Sequence, residues 1–265
     1  MTYESLPGVN FSSLKHIATS PHRYQFELAR ERTDSPHFRV GRLWHSQVLE
    51  PEKVDDEFVM YVGRRAGKTW DEFREEHADR SILSSSEWQA ASGCSVSVLS
   101  SSLARKYLDA PGESELGLVW EDEETGTAMK GRIDRVGGGR LVDLKSTRSI
   151  EPRKFSRAFA EYFYHAQCAL YLDGLRANGY DVTGAPVIIA VESSEPHDVV
   201  VYEIPEHVIE EGRRTYRRWL RMLIECTEKN SWPGVAGEDV LKLEIPEYAY
   251  SETLAETQLD WEGVA

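Results

Sequence analysis

Apolar positions recur at helical spacing through the first third of the chain and change to strand alternation near its middle. Ser12 and Ser13 stand where a cap is expected for a short helix through Leu14 and Ile17, and Ser20-Pro21 opens a second carrying Tyr24, Phe26, Leu28 and Ala29. A third helix is predicted from about Pro36 to Leu49, with Phe38, Leu43, Trp44 and Val48 at helical spacing, and Pro51 stops it. Glu57 to Val62 has the make-up of a short strand. Charges of both signs through Trp70 to Arg80 suit a solvated helix. Ser84-Ser85-Ser86-Glu87 predicts the capped start of one long helix towards Tyr107 and Leu108.

The period then changes. Glu115 to Glu121 and Thr127 to Val136 read as strands joined by a turn at Glu124 to Gly126, and Gly137-Gly138-Gly139 turns the chain into Leu141 to Lys145. Helices return at about Pro152 to Ala160 and Tyr164 to Ala177. Val187 to Val191 is an apolar run suited to a buried strand, and Val199 to Ile204 follows as another. Pro205 opens a long amphipathic helix to about Glu228. The last ~30 residues, beyond Trp232-Pro233-Gly234, are acidic and aperiodic, as expected of a tail. The pattern predicts an α/β fold, a central mixed sheet flanked by helices with a helical N-terminal portion. The expected organisation is one domain over 1–265: a mainly helical part over 1–110, an α/β core over 111–228, and the acidic tail over 229–265.

Composition narrows this picture in three places. No stretch approaches the roughly 20 apolar residues of a membrane span, and MTYESLPGVN lacks the basic and apolar segments of a secretory signal, so a cytoplasmic protein is expected. Cys94, Cys168 and Cys226 are far apart and odd in number, which suits a reducing compartment better than a disulfide framework and disfavours structural zinc and a four-cysteine iron–sulfur cluster; buried free thiols are expected. The net charge of −14 argues against a protein that coats nucleic acid by charge alone, but leaves room for local carboxylates that hold cations.

The chemistry concentrates at Gly131-Arg132-Ile133-Asp134, the glycine turn, and Leu141-Val142-Asp143-Leu144-Lys145. Strand alternation places Asp143 and Lys145 on one face and Val142 and Leu144 on the other. The turn folds Asp134 back towards Asp143. Two carboxylates and an amine in an apolar strand pair are costly unless they serve one another or a metal. Such an oxygen-rich site suits magnesium or manganese, with Lys145 positioned to orient water and stabilise charge on a phosphate. A surface hairpin bearing an ordinary Asp–Lys pair is the bland alternative.

This segment resembles the PD-(D/E)XK nuclease core, with Asp134 as first acid and Asp143-Leu144-Lys145 as second acid, spacer and lysine; Ile133 stands where the pattern has proline. More narrowly, the chain resembles the exonuclease VIII (RecE-type) group and its phage relatives, close to RecB-like nucleases. Ser12-Ser13-Leu14-Lys15 with Ser20-Pro21, Gly41 to His45 with Leu49-Glu50-Pro51, Glu115 to Lys130, and Gln167 with Tyr171 extend the match over about residues 11 to 175. The resemblance implies metal ligation by His45, Asp134, Asp143 and the Leu144 carbonyl, with Glu115 either a further ligand or a plain strand end. It implies catalytic roles for Asp134, Asp143, Lys145 and Gln167. Tyr171, four residues after Gln167 on a helix, either touches substrate or packs in the core. Ser146, Thr147 and Arg132 are expected at the substrate backbone, with Lys130 and Arg135 as further flanking cations. Trp44, Trp70, Trp88, Trp120 and Trp219 are read as core.

The implied activity is Mg2+- or Mn2+-dependent hydrolysis of linear duplex DNA, 5′ to 3′, leaving 3′ single strands for recombination or repair in a phage setting. The implied partners are double-stranded DNA ends, other copies of the chain in a ring, and a single-strand annealing protein. A RecB-like structure-specific or single-strand nuclease, and a non-catalytic DNA-binding module, remain as alternatives.

Overall fold

The computed structural model describes residues 3–30 and 34–246. Helices α1 (Phe11–Leu14), α2 (Pro21–Ala29), α3 (Pro36–Leu49) and the short α4 (Val54–Glu57) build the first part, a 3-10 turn over Lys15–Ala18 linking the first two. The cap of α1 is Asn10, whose Oδ1 accepts the Ser13 N–H at 2.8 Å, rather than Ser12 or Ser13. Asn10 is extended and one residue outside the helix, the geometry a cap requires. For α3, Ser35 Oγ accepts the Phe38 N–H at 3.3 Å, Pro36 sets the first turn, and Leu43 and Trp44 are buried.

Strand β1 (Phe58–Tyr61), helix α5 (Lys68–Glu76) and strand β2 (Ser81–Ser84) follow, and β1 and β2 pair in parallel as a separate two-stranded sheet. The β2 strand is too short for alternation to announce it. The single helix expected towards Leu108 is two, α6 (Ser85–Ser100) and α7 (Ser102–Leu108). Ser101 is extended and its Oγ accepts the Ala104 N–H at 3.3 Å, so a serine restarts the helix as a cap.

The main sheet has strands β3 (Gly112–Glu121), β4 (Ala128–Gly137), β5 (Arg140–Thr147), β6 (Val187–Glu192) and β7 (Val199–Glu203), in that order across it. Only β5 and β6 are parallel, and their crossover is α8 (Pro152–Glu161) and α9 (Tyr164–Ala177). The long α10 (Glu206–Lys229) closes the fold against α9. Gly138 and Gly139 both have positive φ, 56° and 69°, which a two-residue hairpin turn between β4 and β5 requires.

Each face of the sheet has its own core. Leu141, Ile188 and Ala190 pack with α9, α10 and the first helices, whereas Val142, Leu144, Val187 and Ile189 pack with α3, α6 and α7. Both faces are therefore covered, and β6 is apolar at every buried position because neither side meets water. Helices α9 and α10 touch backbone to backbone: a Cβ on Gly212 would lie 2.2 Å from the His165 carbonyl oxygen. Cys94, Cys168 and Cys226 are buried free thiols. The start of the C-terminal tail docks on its own chain, with Trp232 stacked on Tyr24 at 6.1 Å and the His22 N–H donating to the Pro233 carbonyl. The tail has no helix or strand over its described residues; 247–265 lie outside them. No described helix is long and apolar enough to cross a membrane.

Candidate metal centre

The register of the sheet lines up three acids. Ser114 pairs Arg135 and Leu116 pairs Ile133, which sets Glu115 opposite Asp134. Arg135 pairs Val142, so the next rung sets Asp134 opposite Asp143. Neither ladder closes at this rung. Glu115 has φ of 49°, a left-handed kink uncommon for a residue with a side chain. Ile133 and Val136 both enter the same core although an odd number of residues apart, so strand alternation breaks across Asp134 and Arg135. The broken alternation frees Asp134 from regular pairing, and its Oδ2 accepts the Leu144 N–H at 2.8 Å in place of a backbone bridge.

Helix α3 brings His45 over this rung. Its Nδ1 lies 3.7 Å from Asp134 Oδ2, and the ring stands edge-on to Trp44 at 4.4 Å, which fixes its orientation. Burial, then the Lys145 charge, depresses the His45 pKa to about 3, with a hydrogen bond to the Leu144 backbone opposing. The imidazole is therefore neutral at ordinary pH, so the contact with Asp134 is not an ion pair and a ring nitrogen is available as a ligand. One ligand atom each from His45, Glu115 and Asp134 lie within 4.8 Å of one another, the arrangement a single cation needs. Glu115, the residue with two open readings, is thus inside the cluster.

Asp143 stands beside that cluster rather than in it. It is 2% exposed, and Lys145 Nζ approaches its Oδ2 at 2.5 Å as an ion pair. Neither carboxylate oxygen has a well-directed hydrogen-bond partner among the described residues. Oδ2 has the Lys145 ammonium beside it, but Oδ1 is buried with no donor, which is expensive, and a cation is a partner that such a hard oxygen ligand fits. The donor set, oxygens plus one imidazole, suits a divalent ion of the magnesium or manganese kind. Burial and the neighbouring Asp134 charge raise the Asp143 pKa to about 6, against the pull of Lys145. Burial and Asp134 likewise raise Glu115 to about 7, and burial raises Asp134. Burial opposes the charge on Lys145, but Asp143 and Asp134 outweigh it and hold the amine protonated.

Helix α9 covers the centre. The Tyr164 ring lies 4.8 Å from Lys145 Nζ, a cation–π contact. Gln167 Nε2 donates to the Tyr171 hydroxyl at 3.2 Å. Tyr171 is 8% exposed, packed in the main core against Gly131, and its hydroxyl holds Gln167. Ser146 and Thr147 end β5, and Thr147 Oγ1 donates to the Ser149 carbonyl, holding the turn that follows. Arg132 is half-exposed, its Nε 3.1 Å from Glu115 Oε2 and its guanidinium over the Tyr3 ring. Two flanking cations do not face outward: Lys130 is buried with Nζ donating to the Leu6 carbonyl at 2.7 Å, and Arg135 donates to Ser114 Oγ and the Ala110 carbonyl. Both serve the fold. Trp44 and Trp219 are fully buried, and Trp70, Trp88 and Trp120 partly so.

Sequence reasoning passed over Tyr164 and Lys15. Tyr164 sits at the start of a helix and has no motif of its own. Lys15 lies inside a matched motif yet received no role, although burial and the Lys145 charge both lower its pKa. It therefore brings a second amine within electrostatic reach of Lys145.

A five-stranded mixed sheet with acids from neighbouring strands, a lysine two residues beyond the last of them and covering helices defines the PD-(D/E)XK nuclease class. Within it, the chain belongs to the PDDEXK-like domain of unknown function DUF3799, whose family pattern matches residues 10–241. Among curated proteins nothing matches at a significant level. A solved structure of a candidate exonuclease from Eubacterium rectale is similar at 16% identity and a TM-score of 0.62, covering 90% of this chain and 91% of that one. At such identity the likeness is one of fold. The structure of SSO0001 aligns at 15% identity over 78% of this chain and 84% of that one, with a TM-score of 0.30, too low to bear on the fold.

Proposed function

We propose that this protein is a divalent-metal-dependent exonuclease that hydrolyses phosphodiester bonds of linear duplex DNA, 5′ to 3′, leaving 3′ single strands for recombination. The observation that carries the hydrolytic part is the rung Glu115–Asp134–Asp143 with His45 above it and Lys145 beside it. His45, Glu115 and Asp134 would hold a Mg2+ or Mn2+ ion, with Asp143 and the Leu144 carbonyl as adjoining oxygens. Bound there, such an ion lowers the pKa of a coordinated water and polarises a phosphoryl oxygen. Lys145, kept protonated by two aspartates, donates to the attacking water and to charge developing on the phosphate. His45 stays neutral and does not compete for the proton. Gln167, held by Tyr171, presents its amide towards water or a phosphate oxygen.

The exonuclease part is supported by the resemblance to the exonuclease VIII group and by the designation of the Eubacterium rectale protein. A ring of several copies around DNA, working with a single-strand annealing protein, belongs to the same proposal, since a local channel can be positive in an acidic chain. The test is a digestion time course on linear duplexes labelled at either end, beside covalently closed circles, with magnesium, manganese or chelator. Release from 5′ ends only, abolished by chelator, is expected. Cutting of closed circles would instead favour a structure-specific nuclease, and no cutting with either metal would refute the reading.

A further inference from the structure

Helix α8 carries a face that the metal centre does not use. Arg153 and Arg157 are four apart and exposed, with Lys154 beside them and exposed Arg148 in the turn that leaves β5. Residues at this spacing stand about 5–6 Å apart at Cβ, on one side of a helix. Two acids lie in the same stretch, Glu151 and Glu161, and Glu151 is engaged with Lys154 at 3.6 Å. Among the described residues Arg148, Arg153 and Arg157 have no acidic partner within ion-pair distance. Most described arginines elsewhere are paired, among them Arg39 with Glu87, Arg213 with Asp173 and Arg221 with Glu124. In a chain of net charge −14, three neighbouring exposed arginines with no ion-pair acid make a local basic patch.

The opposite side of α8 is fixed to the fold. Phe155 is buried and stacks on Tyr202 at 4.8 Å, 5° from parallel, and the Tyr202 hydroxyl donates to the Ile150 carbonyl. The helix also adjoins the centre. Phe159 meets Tyr164 edge-on at 6.2 Å, and Tyr164 is the ring over Lys145 Nζ. One run of aromatic contacts thus leads from the reacting lysine to the basic helix, and Arg148 follows that lysine by three residues.

We propose that Arg148, in the turn after β5, and Arg153 and Arg157, on a helix anchored by Phe155, form a phosphate track that holds the DNA backbone as it passes the metal centre. The track rests on the nuclease reading for its location but not for its test. Arginines on a rigid element contact phosphates without reading bases, so the track binds any sequence and its binding weakens with salt.

The test compares the full chain with the Arg148→Gln/Arg153→Gln/Arg157→Gln variant, using linear duplex DNA in calcium and a small chromogenic diester, thymidine 5′-monophosphate p-nitrophenyl ester, in manganese. The variant is expected to lose roughly tenfold or more in DNA affinity near 0.1 M salt, and its log–log salt slope to fall by about 2–3. Its melting temperature and its rate on the small diester, which spans only the metal centre, should be unchanged. The triple Arg→Lys variant should restore most of the affinity. Unaltered DNA affinity and salt slope, or no DNA binding by the parent protein, would overturn the track. Loss of DNA binding in the variant, with no diester hydrolysis by the parent, would refute the nuclease reading and leave the track standing.

Discussion

The carboxylate of Asp134 accepts the backbone N–H of Leu144 at 2.8 Å, so a side chain occupies the place of a ladder bond between two central strands. The same residue is a member of the candidate metal cluster, and the two duties separate by substitution. Asp134→Asn keeps an acceptor for Leu144 but loses the charge. It should fold with an unchanged melting temperature and lose more than the roughly 10–100-fold that outer-shell changes at metal sites cost. Asp134→Ala should add a stability loss of about 1–3 kcal/mol, because the Leu144 N–H is left without a partner. Thermal denaturation beside metal titration separates the two, and equal stability of both variants would contradict the bond.

The centre also predicts how stability varies with pH. Glu115 near 7 and Asp143 near 6 lie above ordinary carboxylate values, so their protonated forms are favoured by folding. Their contribution is complete below about pH 4 and is lost as pH rises through 6 to 7. Metal-free protein should therefore melt at lower temperature at pH 7.5 than at pH 5. Magnesium should reverse the trend, and binding near pH 6 should release protons, read by calorimetry in two buffers of different ionisation enthalpy. Binding without proton release would contradict the assignment.

Glu87 ties helix α3, which carries His45, to α6. It accepts from Arg39 and from the Ser84 N–H at 2.6 Å each, and from Arg65 at 2.8 Å. Burial works against its charge, but Ser84 and Arg39 prevail and hold its pKa near 2. Glu87→Gln should cost about 1–3 kcal/mol and weaken metal binding through His45. The contribution of Glu87 is present above its unfolded value of about 4.5 and fades as pH falls towards 2. A denaturant series from pH 6 to 2.5 on both proteins measures it, and the two curves should converge at the acid end.

Two glycines should respond oppositely to alanine. At Gly212 the new methyl would meet the His165 carbonyl, which cannot give way without moving α9, and a loss of about 1–3 kcal/mol or more is expected. Gly41 is inside α3, and nothing lies within 4 Å of where its Cβ would stand. Alanine there should stabilise by roughly 0.5–1 kcal/mol. Gly41 is one turn before His45 on the same helix face, so that gain should come with a raised KM for DNA and an unchanged rate on the small diester. A gain in stability with DNA turnover intact would mean that the bare helix face is idle.

How far the molecule was legible depended on whether a feature was local. Helices α3, α9 and α10 followed from apolar spacing and their bounding residues, and the Asp134 and Asp143 strands from alternation around a glycine turn. Resemblance, not spacing, pointed to His45, because a histidine one residue past a tryptophan has no local signature. Glu115 stayed ambiguous because its role depends on a left-handed kink and on register with Asp134, neither of which is written in its neighbours. The split between α6 and α7 was missed for a related reason. Ser101 is one of several serines in that stretch, and only its extended backbone marks it as a cap. Lys130 and Arg135 looked like phosphate contacts beside Asp134, yet loops distant in sequence supplied carbonyls for both.

The acids of the centre come from one strand at the rim of the sheet and two further in, at the level where the ladders fail to close. A shared ion would act there as a rivet, fastening the rim to the interior where the backbone leaves a seam. Stripping the protein of metal should loosen that seam first, so amides around Leu116 would exchange with solvent long before those of β6. An ion held there would then also be a mechanical part, and the protein without it would be frayed before it is unfolded.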